Sequence, residues 1–361
     1  MAPSIRTAAP PGERGKGVRG LTQDAKSNPT AKPGRARGWA RKIAIFVLKV
    51  AVAAGLVYWL IQQNRLDFAS LGRLQADART LGLFAAGGLS VFVGLVLLAW
   101  RLKILLAHRQ IEVSLAKSFG LTLIGSFTGV VLPGLVGGDV VKAVYLCADK
   151  PGCRADAVAV VIADRVIGLY SLLLLGTLAL GAAYLADVLP LSTPVLLIAP
   201  ACVVVGAGML ALLAWPALRQ SRPVQRLFAI APRAMQNLLV ALTSYVKSPR
   251  VLGLTILLSL LNHTLVVLTF IMAGRLLDDE LGVFTHFMLN PLAMAMNAIA
   301  VTPGGIGLAE GAFSFLFEMV GSPNGGMVGL LGRIIQYGVF AAGGAVAILV
   351  MKGGGKSGPP V

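Results

Sequence analysis

The chain has 361 residues, 56% hydrophobic and only 13% charged, with mean hydropathy +0.80 and a net charge of +17. A soluble domain carries about 25% charged residues, so that class is excluded, and the long unbroken apolar runs exclude a membrane β-barrel. The positive charge lies in tails and loops flanking those runs, the pattern of cytoplasmic loops beside anionic lipid, so nucleic acid is not expected as a partner.

Residues 1–42 hold ten Lys/Arg against two acids, among many Pro, Gly and Ala. Such a stretch cannot bury a core, which predicts a disordered basic cytoplasmic tail near anionic inner-leaflet lipid; it is too long and too charged to be a signal peptide. Spans are predicted at about 43–61 and 81–100, the second followed by Arg101, Lys103, Arg109 and Lys117 as markers of the inner face. Residues 118–146 are apolar but broken by LPGLVGGDVVKA (132–143), and the loop after them, with Asp149, Lys150, Arg154 and Asp156, also reads as cytoplasmic. The segment is therefore expected to enter and leave on one side, as a re-entrant hairpin. Spans follow at 157–186, which carries Asp164 and Arg165, and at 195–215. A basic stretch then places Leu227, Ala231, Ala234, Leu238, Ala241 and Tyr245 at helical spacing, predicting an amphipathic interfacial helix over 224–246 with a break near Pro232. Spans at 251–274 and 327–350 enclose a second broken segment, 284–319, with TPGGIGLAEGAF at 302–313, and residues 351–361 form a short cytoplasmic tail.

The fold class expected is an all-α polytopic membrane protein with about eight hydrophobic segments, six full spans and two re-entrant broken-helix hairpins. The hairpins open to opposite faces, so the chain reads as an inverted repeat of units 43–186 and 195–350 within a transmembrane domain of 43–350, both termini in the cytoplasm of a cell (inner) membrane. Gly/Pro-broken segments at matching positions of two halves point to a transporter-like site, because irregular backbone at membrane depth survives only where protein packs it or a cavity is lined.

Charges at that depth are costly and tend to be functional, and here they are Asp139, Lys142, Asp164, Arg165, Glu310 and Arg333. A half-helix beginning after a Pro-Gly break offers free N–H groups to an anion such as a lipid phosphate, and Lys142, Arg165 and Arg333 could add charged donors. Asp139 and Glu310 could receive a cationic headgroup. Equally, each acid could cap its own half-helix and pair with a basic residue from the other repeat. Asp164 and Arg165 are neighbours on a helix, about 100° apart, so different partners are expected for them. His263 reads as a packing residue. No phosphate loop, zinc motif, Ser/His/Asp set or Cys/His cluster is present, and no cofactor or metal is expected; Cys147, Cys153 and Cys202 form no even disulfide set.

GGDVVKA (137–143), AVAVVIADRVIGLYSLLLLG (157–176) and TPGGIGLAEGAF (302–313), in that order, resemble the lysylphosphatidylglycerol synthase transmembrane, flippase-like, domain family. The resemblance implies a membrane protein that moves a phospholipid or glycolipid, aminoacylated or not, between leaflets. It carries over to Gly138, Asp139, Lys142, Asp164, Arg165, Pro303, Gly304, Gly305, Gly307 and Glu310. The full synthase adds a soluble lysyltransferase domain, which the residues after the last span leave no room for, so transferase activity is not expected. Two other readings stand beside translocation: a membrane enzyme modifying a lipid headgroup, and an accessory subunit docking a lipid- or glycan-synthesising enzyme through the amphipathic helix.

Overall fold

The computed structural model describes residues 33–131, 137–148, 154–186, 197–215, 232–297 and 302–354, with 221–222, 225–226 and 230. By internal contacts the chain forms two units, residues 1–44 and residues 45–361. Of the first, the described part is the opening of helix α1 (Pro33–Gln62), which therefore starts inside the stretch expected to be disordered.

The second unit holds the remainder of α1, the single turn α2 (Ala69–Gly72), and α3 (Ala78–His108), α4 (Leu115–Val131), α5 (Gly137–Ala148) and α6 (Arg154–Leu185). It continues with α7 (Ile198–Ala214), α8 (Arg233–Val246), α9 (Pro249–Leu276), α10 (Val283–Asn297), α11 (Leu308–Glu318) and α12 (Gly325–Gly354). All described elements are helical. Four of these helices are long and apolar enough to cross a membrane: α3, α6, α9 and α12. The apolar parts of α1 (Val47–Gln62) and α7 (Ile198–Leu212), expected as full spans, are shorter.

The element order repeats. Helices of 31, 17, 12 and 32 residues (α3–α6) are followed by helices of 28, 15, 11 and 30 residues (α9–α12). Packing follows the same symmetry: α4 lies against α12, α10 lies against α6, and α3 lies along α9. The last two helices are antiparallel. Arg79 reaches the Arg275 carbonyl at 3.1 Å, Thr269 donates to the Gly87 carbonyl at 3.3 Å, and Arg101 donates to Ser259 at 2.7 Å. These reciprocal contacts are what a two-fold relation between inverted halves requires.

Local chemistry sets the helix ends. Asp77 caps α3, accepting from the Thr80 N–H at 2.7 Å, and these hydrogen bonds hold its carboxyl below the ordinary 3.8. At their C-termini α3 and α9 close alike: Gln110 and Asp278 take positive φ, and the next N–H, from Ile111 or Asp279, reaches back to Leu106 or Gly274 at 2.9 Å.

Between helices, small residues allow close approach, since in lipid dispersion packing rather than hydrophobic transfer drives association. A Cβ on Gly332 would lie 2.4 Å from the ring of Phe270, and one on Gly329 2.9 Å from Phe313; those two rings stack at 4.7 Å. Further along α12, Gly343 and Gly344 admit Leu123 and Phe127 of α4.

Helix α8 starts directly after Pro232 and is amphipathic as expected. Its apolar face, however, is occupied. Leu238, Ala241, Leu242 and Tyr245 are buried with Leu102, Leu105, Ala157 and Val160 of α3 and α6, and the Tyr245 hydroxyl donates to the Leu105 carbonyl at 3.1 Å. These residues of the face are thus spent inside the protein, while Met235 and Val240 of the same helix are exposed.

Candidate functional site

Both broken segments are interrupted helices that fold back. In the first, α5 returns along α4 with glycine against glycine: a Cβ on Gly138 would sit 2.1 Å from the Gly125 carbonyl oxygen and 3.0 Å from the Gly129 nitrogen. The turn at 132–136 lies outside the described residues. In the second, Gly304, Gly305 and Gly307 adopt φ of 58°, 71° and 84°, a left-handed path open to glycine at little cost. Nothing is described of the Pro303 side chain.

The two breaks approach each other. A side chain on Gly304 would begin 3.5 Å from the Val130 carbonyl oxygen, at the last turn of α4. That same turn carries Gly129, which faces Gly138. The last turn of α4 thus lies against described residues of both repeats.

The charged residues at the breaks pair into two clusters. In the first repeat, Arg165 donates from Nε to Asp139 Oδ2 at 2.6 Å, and Lys142 Nζ lies 3.8 Å from Asp139 Oδ1. The Lys142 stem crosses over Gly125, where a Cβ would meet it at 2.2 Å. In the second repeat, Arg333 donates to Glu310 Oε1 at 2.8 Å. Acid in the first turn of the second half-helix, arginine on the long helix that follows: the arrangement occurs twice. Each acid pairs with the arginine of its own repeat, not with one from the other half.

The two copies differ in how fully they are satisfied. Glu310 Oε2 accepts from the Gly307 N–H at 2.6 Å, so the protein supplies its own anion to the start of α11. Arg333 also donates to the carbonyls of Gly305 and Gly304 and to the Tyr337 hydroxyl, which itself donates to Gly304 at 2.9 Å. Arg333 and Glu310 are buried, at 5% and 2% exposure. Beside them lies a cavity of about 170 Å³ whose other walls, Val57, Leu66, Phe68, Ile306, Leu330 and Ile334, are apolar.

Arg165 is the opposite case. Its side chain is 59% exposed, and beyond Asp139 it has no hydrogen-bond partner among the described residues. On the same two helices, α5 and α6, the side chains of Val140, Val144, Val158 and Leu169 are exposed and apolar. Arg165 stands eleven residues into α6, or ~16 Å along the axis of a helix long and apolar enough to cross a membrane.

Asp164 and Arg165 take different partners, as the helix geometry predicted. Asp164 pairs with Arg101 Nε at 2.7 Å, both side chains below one-tenth exposed. Arg101 was expected to mark the inner loop; instead α3 runs on to His108 and buries it. Arg101 also donates to Ser259, so α3, α6 and α9 meet at this one guanidinium. Arg101, Ser259 and Tyr337 are the polar partners that sequence reasoning missed. His263 donates from Nε2 to the Gly168 carbonyl at 3.0 Å and serves packing. Among the described residues no group of three His, Cys, Asp or Glu side chains is placed to hold a metal ion.

Interrupted helices with buried, paired charges at their breaks, inside a bundle of long apolar helices, define a polytopic membrane protein. The chain belongs to the family described as the lysylphosphatidylglycerol synthase TM region, whose model matches residues 46–344, and the match is to that transmembrane region. Its role is accordingly a lipid-related one in the membrane. No curated protein and no solved structure matches the chain.

Proposed function

We propose that this protein moves a phospholipid or glycolipid between leaflets, and that Arg165, Asp139 and Lys142 form its headgroup contact. The observation that carries this reading is the state of Arg165. A guanidinium within the apolar helix α6, held at one edge by a carboxylate and otherwise exposed, is costly in a membrane unless an anion meets it. A lipid phosphate suits it: the guanidinium fork takes two phosphate oxygens, and the exposed valines and leucine of α5 and α6 suit acyl chains. Lys142 adds a second cation at the other oxygen of Asp139, and an aminoacylated headgroup would find Asp139 as the partner for its ammonium. Glu310 and Arg333 hold the second hairpin in shape. The excess of Lys and Arg in the amino-terminal tail supports both termini lying in the cytoplasm of an inner membrane.

The test is transport in vesicles. Purified protein reconstituted with fluorescent phosphatidylglycerol, and separately with a fluorescent glycolipid, is expected to expose inner-leaflet label to an external quencher. Arg165→Gln should slow this at least tenfold at equal protein yield. Equal rates for the two proteins would remove Arg165 from the lipid path.

A further inference from the structure

The second repeat contains a buried polar cluster that the first repeat lacks and that the lipid contact does not use. Its members are Asp279, His286 and Asn290, at 6%, 1% and 0% exposure. The chain separation relating Arg165 to Arg333 also relates Ile111, Ser118 and Thr122 to these three. In the first repeat Ile111 is plain buried hydrocarbon, and Ser118 and Thr122 spend their hydroxyls on backbone carbonyls at 2.8 and 2.9 Å. The residue closing this kind of helix end is ordinarily apolar, as Ile111 is. Asp279 puts a carboxylate there.

The hydrogen bonding is incomplete in a specific way. Asp279 Oδ1 accepts from Ser322 Oγ at 3.1 Å, while Oδ2 has no partner among the described residues and lies 4.0 Å from His286 Nε2. On the other edge of the ring, Asn290 Nδ2 stands 3.4 Å from His286 Nδ1, and Asn290 Oδ1 is likewise without a partner. A neutral imidazole has one donor and one acceptor. Here Nε2 faces a buried carboxylate oxygen that needs a donor, and beside Nδ1 stands the Asn290 amide, whose own oxygen also needs one. A half-turn of the Asn290 amide exchanges its oxygen for its nitrogen at Nδ1. An imidazolium would then satisfy both, through Nε2–H to Asp279 and Nδ1–H to Asn290.

We infer that Asp279, His286 and Asn290 form a proton-binding site that takes up one proton on the imidazole ring. Of the charged groups near it, Arg275 donates to the Asp279 carbonyl at 3.1 Å and is exposed. Asp278 and Glu280 are exposed, with Asp278 held by Arg79, and Glu318 of α11 is paired with Arg65. Arg275 and burial oppose the ring charge; Asp279 and the two waiting acceptors favour it. The site joins the end of α9 through Asp279, α10 through His286 and Asn290, and the turn before α12 through Ser322. The His286 ring also meets Phe317 of α11 edge to face at 5.5 Å. Proton uptake therefore fastens the open end of the second hairpin, whichever lipid the first one contacts.

The chain contains three histidines, so ring nitrogen NMR of the full protein in nanodiscs can follow each, with His286→Gln assigning the signal. Between about pH 4 and 8, the usual histidine range, His286 should pass from one protonated nitrogen to two as pH falls. Asp279→Asn should lower the midpoint by about one pH unit, a tenfold weaker hold on the proton. A single neutral tautomer across the whole range, or an unchanged midpoint in Asp279→Asn, would overturn the inference. If that variant does not fold, Asn290→Leu reads the other acceptor with the same expected sign, and the wild-type titration alone still decides.

Discussion

Arg101 on α3 and Asp164 on α6 meet at 2.7 Å with side chains only 6% and 9% exposed, and Ser259 on α9 completes the contact. The pair is a buried three-helix junction. Arg101→Leu leaves a carboxylate without its counter-ion and should destabilise the fold by roughly 3–5 kcal/mol; the double variant with Asp164→Leu should recover most of that loss. Thermal unfolding in detergent reads both. A double variant no better than the single one would mean the pair is not an isolated charge couple.

The two arginine–acid pairs should respond differently to the same change. Arg333→Gln strips the carbonyls of Gly304 and Gly305 of a donor and leaves Glu310 uncompensated, which should cost about 3 kcal/mol or more. Arg165→Gln leaves Asp139 with Lys142 still 3.8 Å away, so its unfolding midpoint should fall far less while lipid transport falls more. Measuring midpoint and transport for both variants separates a holding residue from a lipid-contacting one. Identical profiles would contradict the division.

Gly138 is expected to be intolerant of any side chain. The Cβ of Gly138→Ala would fall 2.1 Å from the Gly125 carbonyl oxygen, a backbone atom that cannot rotate away, and overpacking of this kind costs about 1–3 kcal/mol. Gly181→Ala, with open space around it, is the matched control and should be neutral or slightly stabilising. Protease cleavage near the first hairpin should increase only in the former.

Asp77 should contribute to stability in a pH-dependent way. Its carboxyl sits below the ordinary 3.8 because the charged form accepts the Thr80 hydrogen bonds. The contribution is then fully present above that value and is lost as pH falls through the lower folded-state value. Asp77→Ala should lower the melting temperature at pH 7, and the gap from the unmodified protein should close at strongly acid pH. A constant gap across that range would count against capping by the ionised form.

How much of this was legible in the sequence follows from distance along the chain. The two Pro-Gly breaks, their acids and the following arginines were readable because each is written in a short motif, and the hairpins and helical bundle follow from them. Arg101 was misplaced because the apolar run stops at Trp100 while the helix does not; its burial depends on Asp164, 63 positions away. The burial of Asp279 was hidden for the same reason: Ser322, which holds it, lies 43 positions further on. The asymmetry between Arg165 and Arg333 was hidden too, since Tyr337 and the glycine carbonyls converge on Arg333 only after folding. The amphipathic pattern of α8 gave the helix correctly, but periodicity does not say whether lipid or protein covers the apolar face.

One contact has a mechanical consequence. The last turn of α4 touches Gly138 on one side through Gly129 and Gly304 on the other through Val130. Neither half can rock without pushing on its opposite number, because a single backbone turn serves as bearing surface for both. A displacement of that turn is thereby felt in both repeats at once.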